Sequence, residues 1–305
     1  MKHTDILIRE VRLAELPVLH SEWWSTNVRY TELRRQGIQI ICASFIQANP
    51  RANVTILTGW SECFLKYADV IKLLFECGFN VHTYDHQSQG LSGRWLEESQ
   101  STFIDNFDDY VDDLLCFQVH VVNKSSFISQ EDTLPAYLVA HSMGGLIGMM
   151  AMARQPTLFA RVALSAPMIR NKCGMKSLHY QWPLPQELCY WMTRLMRYLN
   201  LGANHALGYL VERPEDPLKL GVTTYDIDHL HDWQLLRQRY PHIMSTCVTN
   251  DWTLHAITAQ NAFHSMFRRV RSNTVRVSFC CCTTAYVLRD MPLKRSCLAN
   301  TMLLF

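Results

Sequence analysis

Residues 136–145 read Ala-Tyr-Leu-Val-Ala-His-Ser-Met-Gly-Gly, and this stretch decides the fold. A mostly apolar run leads into His141 and Ser142, two glycines follow, and an apolar segment extends from Leu146 to Ala153. This order predicts a strand, a sharp turn and a helix, with Ser142 at the apex of the turn. A serine placed there projects above the sheet, and the first amides of the next helix point at whatever it attacks. Ala140 stands where the G-x-S-x-G signature usually has its first glycine.

The composition is that of a globular protein. The chain has 305 residues, of which 48% are hydrophobic and 18% are charged, and its formal net charge is +2. The apolar content excludes a disordered chain, and the small net charge gives no indication of nucleic-acid binding. The eleven cysteines form no repeated C-x-x-C pair, which favours buried free thiols in a reducing compartment over a zinc site.

The N-terminal residues 1–20 alternate charged and apolar side chains, and they lack the continuous apolar segment of a secretory signal. No uninterrupted apolar run has the length of a membrane span. We therefore expect a cytoplasmic protein that binds membranes peripherally at most.

Strands and helices are predicted to alternate along the first part of the chain. The predicted strands are 27–32, 38–43, 54–57, 81–84, 136–140 and 162–166, and the predicted helices are 65–75, 107–115 and 144–154. The first two strands flank a turn-like segment and form an antiparallel hairpin. The remaining alternation predicts a mostly parallel sheet with helices on both faces. Ser142 then lies at the carboxyl end of a central strand, where open α/β sheets bind ligands.

A Pro-rich, helical insertion interrupts the alternation after residue 170. We expect a single domain with a core of about residues 20–170 and 245–282, a cap over about 171–244, and an atypical tail over 283–305. A further helix is predicted at 251–269 and a further strand at 275–282.

One helix of the predicted cap carries an apolar stripe at helical spacing. Its members are Leu188, Trp191, Met192, Leu195, Met196 and Leu199. We favour the interpretation that the stripe packs on the rest of the domain. The alternative is a wall for an acyl chain, or a surface that touches lipid.

Four ordered blocks of sequence carry a resemblance to a known family. The chain resembles the lysophospholipase and monoacylglycerol-lipase branch of the α/β-hydrolase superfamily, whose domain is often called serine aminopeptidase-like. The blocks are Leu57–Glu62 with Tyr67, Tyr84–Arg94, Phe107–Leu114, and Ala140–Gly145 followed by Leu164–Met168. Together they span roughly residues 20–170, and their order makes them far more specific than the serine motif alone.

The resemblance implies roles for individual residues. Ser142 is similar to the nucleophile, and the backbone amides of Met143 and Trp60 are similar to the two oxyanion donors. Thr58 replaces a histidine that the family often has, a change that leaves backbone donors intact. The implied activity is hydrolysis of a lipid ester, either a lysophospholipid or a monoacylglycerol, with no metal or organic cofactor. Transient contact between the cap and a membrane surface is the further implied interaction, and no nucleic-acid partner is implied.

The second block contains Asp85 and His86, a charged pair beside the expected site. In the family this loop mainly holds its own shape, so we expect structural roles for both residues. Gly90 and Gly93 are expected to be turn glycines. Gln87-Ser88 replaces the more usual Arg-Gly.

The resemblance breaks towards the C-terminus. The family would supply a loop with the triad acid, a final strand, a loop with the triad histidine and a final helix. The final strand, the histidine loop and the final helix have no counterpart in the sequence. Tyr286 aligns with the acid, Asp290 comes a few residues later, and no histidine follows His264. A shifted reading frame beginning near Arg276 is one hypothesis for this tail.

Three further alternatives stay open. A histidine of the cap could act as the base, and the candidates are His179, His205, His229 and His231. The chain could also be a different serine hydrolase of the same fold, such as a peptidase or a small-ester esterase. The rival from another class is a catalytically inactive protein, which would be a binding module or a non-functional gene product.

Overall fold

The structure is a computed structural model that describes residues 6–13, 20–97, 100–125, 134–170, 174–176, 181–206, 227–262 and 276–280. The strands are β1 (Leu7–Val11), β2 (Val28–Arg35), β3 (Ile38–Phe45), β4 (Asn53–Leu57), β5 (Asn80–Tyr84), β6 (Ser101–Thr102), β7 (Ala136–His141), β8 (Arg161–Ser165), β9 (Gly174–Lys176), β10 (Gln181–Pro183), β11 (Cys247–Val248) and β12 (Arg276–Cys280). The α-helices are α1 (Ser21–Asn27), α2 (Ala68–Glu76), α3 (Asp108–Phe117), α4 (Asn123–Ser125), α5 (Ser142–Arg154), α6 (Gln186–Tyr198), α7 (Ile227–Arg239) and α8 (Asn250–Asn261). Short 3₁₀ turns precede α2 (Phe64–Tyr67) and follow α7 (Pro241–Ile243), and a π-helical turn (Gln118–Val122) links α3 to α4.

The main sheet has the order β1-β2-β3-β5-β4-β7-β8-β12. Strands β1, β2, β3 and β5 pair antiparallel, whereas β5, β4, β7, β8 and β12 pair in parallel. The mostly parallel sheet is therefore confirmed. Because parallel strands end at the same edge, the carboxyl ends of β4, β7, β8 and β12 lie together.

Both faces of the sheet are covered by helices. Strands β4 and β5 are buried along their whole length, as strands of a parallel sheet are when helices pack on both sides. One apolar cluster joins the sheet to α3 and α5. A second cluster joins the opposite face to α1 and α2. The predicted helices on both faces are therefore confirmed.

The predicted hairpin is confirmed as β2 and β3. Gln36 and Gly37 have φ angles of 54° and 84°, and positive values at both central residues are typical of the two-residue turns that match strand twist.

Several short elements differ from the prediction. β1 and α1 were not predicted, because β1 is a partly exposed edge strand with charged side chains and α1 has only seven residues. The β6–β11 pair and the β9–β10 hairpin were likewise not predicted. Helix α8 begins one residue before the predicted start, where the Thr249 hydroxyl accepts a hydrogen bond from the Trp252 amide, and it ends at Asn261. The rest of that predicted helix and the predicted tail, 283–305, lie outside the described residues.

A buried ion pair ties the β2–β3 hairpin to α3. The Arg35 guanidinium donates to Asp113 Oδ1 over 2.5 Å, and both side chains are almost completely buried. The Gln87 amide donates to the other Asp113 oxygen over 2.6 Å. Burial raises the pKa of Asp113 to about 6, and the Arg35 charge opposes this rise, so the carboxylate is ionised at neutral pH.

Replacing Asp113 with alanine leaves the Arg35 charge buried without its main partner. We expect Asp113→Ala to lower the free energy of unfolding by about 3–5 kcal/mol. Asp112→Ala is the matched control on the same helix, because Asp112 is about half exposed and pairs with Arg154 at the surface. Its cost should stay below about 1 kcal/mol. Urea denaturation measures both, and equal costs would refute the assigned importance of the buried pair.

Candidate active site

Ser142 lies at the junction of β7 and α5. The strand ends at His141 and the helix begins at Ser142, whose φ angle is +47°. A left-handed conformation at a non-glycine residue is strained, and it is the conformation of a nucleophile at a strand-to-helix turn. The side chain is half-buried, so it is not sealed inside the core. The predicted strand, turn and helix around Ser142 are therefore observed.

Two glycines after the serine allow neighbouring segments to approach closely. A Cβ atom on Gly144 would lie 2.7 Å from the carbonyl oxygens of Leu57 and Thr58, and one on Gly145 would lie 2.8 Å from the Pro167 ring. The Gly144 amide donates to the Thr58 carbonyl over 3.1 Å. The first turn of α5 therefore packs directly against the residues that follow β4.

That contact brings the predicted oxyanion residues into adjacent segments. Trp60 belongs to the loop after β4, and Met143 belongs to the first turn of α5. The side chain of the N-cap residue, His141, makes no capping hydrogen bond to α5, and uncapped amides at a helix N-terminus suit an anion. The Trp60 indole is fixed separately, because it donates to the Thr102 hydroxyl over 2.9 Å and lies beside Trp252.

The loop after β5 holds the loop after β4 through buried side chains. Asp85 Oδ1 accepts from the Phe64 amide over 2.8 Å, and His86 Nε2 donates to the Thr58 carbonyl over 3.2 Å. Burial lowers the pKa of His86 to about 4, so the ring is neutral and carries its proton on Nε2. Burial raises the pKa of Asp85 to about 7. Both contacts support the structural roles predicted for these two residues.

Gly90 is a turn glycine, as predicted. Its φ angle is +55°, and a Cβ atom would lie 2.0 Å from Asp85 Oδ2. Ser88, where the family usually has glycine, also adopts a left-handed conformation with a φ angle of 63°. The loop therefore keeps a glycine-like backbone at a residue that carries a side chain.

Glu62 forms a buried polar cluster below the oxyanion loop. Its carboxylate accepts from the Gly59 amide over 2.8 Å and from the Tyr67 hydroxyl over 2.6 Å, and it pairs with Lys66. Burial opposes ionisation of Glu62, but Lys66, His141 and the hydrogen bonds outweigh it and lower the pKa to about 2. Glu62 was part of a recognised block, but its contacts were not predicted, because the sequence does not show which backbone amide it meets.

No described histidine hydrogen-bonds the Ser142 hydroxyl. Of the cap histidines considered, His205 contacts the Ser101 hydroxyl over 2.9 Å, and His229 pairs with Asp69. His179, Tyr286 and Asp290 lie outside the described residues. Among the described residues, no histidine is therefore placed as a base by a hydrogen bond to Ser142.

The favoured interpretation of the apolar stripe is wrong for four of its six members. Leu188, Trp191, Leu195 and Leu199 are exposed, whereas Met192 and Met196 are half-buried. The fully buried side chains of α6 are Gln186 and Thr193, and the Gln186 amide donates to the Gln260 side chain on α8 over 3.1 Å. The four exposed apolar side chains therefore face solvent.

Comparison with known proteins agrees with this arrangement. The family model of serine aminopeptidase, S33 (Hydrolase_4), matches residues 48–267. The chain belongs to the serine aminopeptidase S33 family. This family assignment agrees with the resemblance on which the sequence prediction rests.

Two relatives of this S33 chain are lipid esterases by name. Lysophospholipase L2 of Escherichia coli (strain K12) is 38% identical over 115 residues, which are 38% of this chain and 32% of that enzyme. Monoglyceride lipase of Rattus norvegicus is 30% identical over 148 residues, which are 47% of this chain and 45% of that enzyme. The matched region thus spans less than half the length of either relative.

Solved structures resemble the chain at the level of the fold. A monoacylglycerol lipase of Paleococcus ferrophilus has a TM-score of 0.54 at 15% identity, with 79% of this chain and 76% of that chain covered. A soluble variant of monoglyceride lipase of Saccharomyces cerevisiae has a TM-score of 0.55 at 13% identity, with 81% and 75% covered. The predicted α/β-hydrolase fold class is confirmed.

The low pKa of Glu62 predicts a pH-dependent contribution to stability. The folded protein holds the Glu62 proton more weakly than the unfolded chain, so the stabilisation is present above pH 4.5 and is lost as the pH falls towards 2. This difference in pKa corresponds to roughly 3 kcal/mol over the whole window. We expect the free-energy gap between wild type and Glu62→Gln to shrink as the pH falls from 5 to 3 in urea titrations. Glu76→Gln, at an exposed pair with Lys72, is the matched control, and its cost should stay below about 1 kcal/mol. A gap for Glu62→Gln that does not change with pH would contradict the assignment.

Proposed function

We propose that this chain is a serine ester hydrolase that acts on lysophospholipids or monoacylglycerols. The observation that carries the proposal is the position of Ser142, half-buried and strained at the strand-to-helix junction. The names of the relatives, lysophospholipase L2 and monoglyceride lipase, support a lipid ester as the substrate. The tight contact between Gly144 and the loop after β4 supports a paired oxyanion site.

The proposed reaction passes through an acyl-enzyme. The Ser142 oxygen attacks the ester carbonyl while a general base takes the hydroxyl proton, and the carbonyl oxygen becomes an oxyanion. The amides of Met143 and Trp60 stabilise that charge, and the alcohol leaves with a proton. Water then attacks the acyl-enzyme, which releases the fatty acid and restores the hydroxyl. The cap, residues 171–244, would cover the acyl chain.

The second candidate function is an inactive member of the family that binds lipid without hydrolysing it. The observation that favours it is the absence of a histidine at the Ser142 hydroxyl among the described residues. Oxyanion donors and substrate binding alone give only residual catalysis, orders of magnitude below that of a complete triad.

A fluorophosphonate probe separates the two candidates, because it labels only a serine with a working base. We expect labelling of the purified chain and its loss in Ser142→Ala. Ser165→Ala is the matched control, since Ser165 ends the neighbouring strand β8 and pairs with His141 across the sheet. This control should be labelled like wild type. Failure of wild type to react would support the inactive alternative.

Esters of graded acyl length then test the substrate class. A monoacylglycerol or lysophospholipid hydrolase should prefer long chains over a C2 ester, because each buried methylene adds about 0.8 kcal/mol. A preference for short esters or for aminoacyl amides would instead indicate an esterase or a peptidase.

We also propose peripheral membrane contact through the exposed face of α6. Trp191, Leu195 and Leu199 form an apolar row, and the Arg194 guanidinium lies 5.2 Å from the Trp191 ring centre. Apolar groups flanked by a cation are typical of helices that lie in the membrane interface. No helix among the described residues is long and apolar enough to cross a bilayer. The proposed location is the cytoplasm, which the free thiols of the described cysteines support.

Vesicle sedimentation tests this face. We expect Leu195→Ser to weaken partitioning into phosphatidylglycerol-containing vesicles by roughly 30-fold, because burying a leucine side chain contributes about 2 kcal/mol. Leu235→Ser is the matched control on α7, since Leu195 and Leu235 are 52% and 49% exposed. Equal losses for the two variants would refute a specific role of α6.

A further inference from the structure

Gln89 is a completely buried polar side chain in the loop after β5. Its Oε1 atom accepts a hydrogen bond from the Ser61 amide over 2.7 Å. Its Nε2 atom lies 3.8 Å from the Met143 sulfur and donates to it. The side-chain amide of Gln89 therefore contacts both segments that carry a predicted oxyanion donor. It binds Ser61, the neighbour of Trp60, and it binds Met143 itself.

The first contact fixes the backbone around Trp60. The Gly59 amide is held by Glu62, and the Ser61 amide is held by Gln89, so the amides on both sides of Trp60 are fixed. Ser61 has a φ angle of 61°, a left-handed conformation that a serine adopts only when its surroundings impose it. The Ser61 hydroxyl also donates to the Ser245 carbonyl, which holds the loop from the other side.

The second contact concerns the start of α5. Met143 is completely buried, and its flexible side chain could adopt several rotamers in this position. The donor at its sulfur favours one of them. Because the contact is weak, the hydrogen bond to Ser61 is the stronger of the two restraints.

We propose that Gln89 is a positioning residue for the oxyanion site. It aims the Trp60 amide at the developing charge and couples the loop that carries this amide to Met143. This inference rests on the proposed function of Ser142. The neighbouring side chains Asp85 and His86 hold the loop at Phe64 and Thr58, whereas Gln89 acts next to the donor itself.

Gln87 provides a matched control in the same loop. It is also a completely buried glutamine, and its amide binds Asp113 and the Trp95 indole, each over 2.6 Å. These contacts support α3 and the loop after β5 without reaching the oxyanion loop. Loss of Gln87 therefore removes two buried hydrogen bonds, at least as strong as those of Gln89, away from the donors.

The test compares Gln89→Met, Gln89→Glu and Gln87→Met. Methionine keeps the volume of glutamine but removes both polar contacts, so the variants should fold. For Gln89→Met we expect the rate of fluorophosphonate labelling to fall by about 10- to 100-fold, since a misplaced donor loses most of its effect. Gln87→Met should be destabilised in urea at least as much as Gln89→Met, yet react within about twofold of wild type. Gln89→Glu retains an acceptor for the Ser61 amide and should recover part of the rate.

Amide hydrogen exchange supplies a readout that needs no activity. The Ser61 amide should exchange faster in Gln89→Met than in wild type, and remain protected in Gln89→Glu and Gln87→Met. Unchanged exchange in Gln89→Met would overturn the proposal, as would equal slowing of labelling by the Gln87 and Gln89 variants. If the fluorophosphonate does not label wild type, the proposed function fails. The exchange data alone then decide whether Gln89 positions the loop that carries Trp60.

Discussion

The close approach between the start of α5 and the end of β4 is the constraint on which the site depends. Gly144 has no side chain, so its amide reaches the Thr58 carbonyl, and the parallel pairing of Leu57 with Ala140 brings both strands to the same edge. Any larger residue at position 144 would meet backbone atoms, which cannot move aside cheaply. The contact fixes the relative position of the two segments that carry Trp60 and Met143. It is made by backbone atoms alone, so it does not depend on the side chains of the site.

Rigidity of the proposed oxyanion loop, residues 58–64, comes from buried polar side chains of the loop after β5. Asp85, His86 and Gln89 each bind a backbone group of residues 58–64. Burying polar groups is unfavourable unless they are hydrogen-bonded, so each of these pairs disfavours other loop conformations. Left-handed backbones at Ser61 and Ser88 show that the two loops are held in conformations that their residues do not prefer. The stability of the fold thus offsets local strain at the site, a common arrangement around reactive groups.

Periodicity predicted strands β2 to β5, β7 and β8 and helices α2, α3 and α5, because long buried strands and amphipathic helices leave a clear pattern. It missed β1 and α1, which are short and partly exposed. The position of Ser142 was predictable because strand, turn and helix are contiguous in the sequence. The role of Gln89 was not, because its contacts join residues 28 and 54 positions away. On α6, spacing showed which residues share a face, but only packing against α8 showed that this face is uncovered.

The sheet also determines where an acid and a base for Ser142 must lie. Cys280 of β12 is paired with Ser165, and Ser165 is paired with His141, the residue before the proposed nucleophile. Two strand spacings of about 4.8 Å therefore separate the end of β12 from the end of β7. The chain crosses from β8 to β12 through the segment that holds α6, α7 and α8, so the proposed cap begins and returns beside the site. A base that serves Ser142 must lie at the carboxyl-terminal ends of these strands, because their amino-terminal ends are at the opposite edge of the sheet.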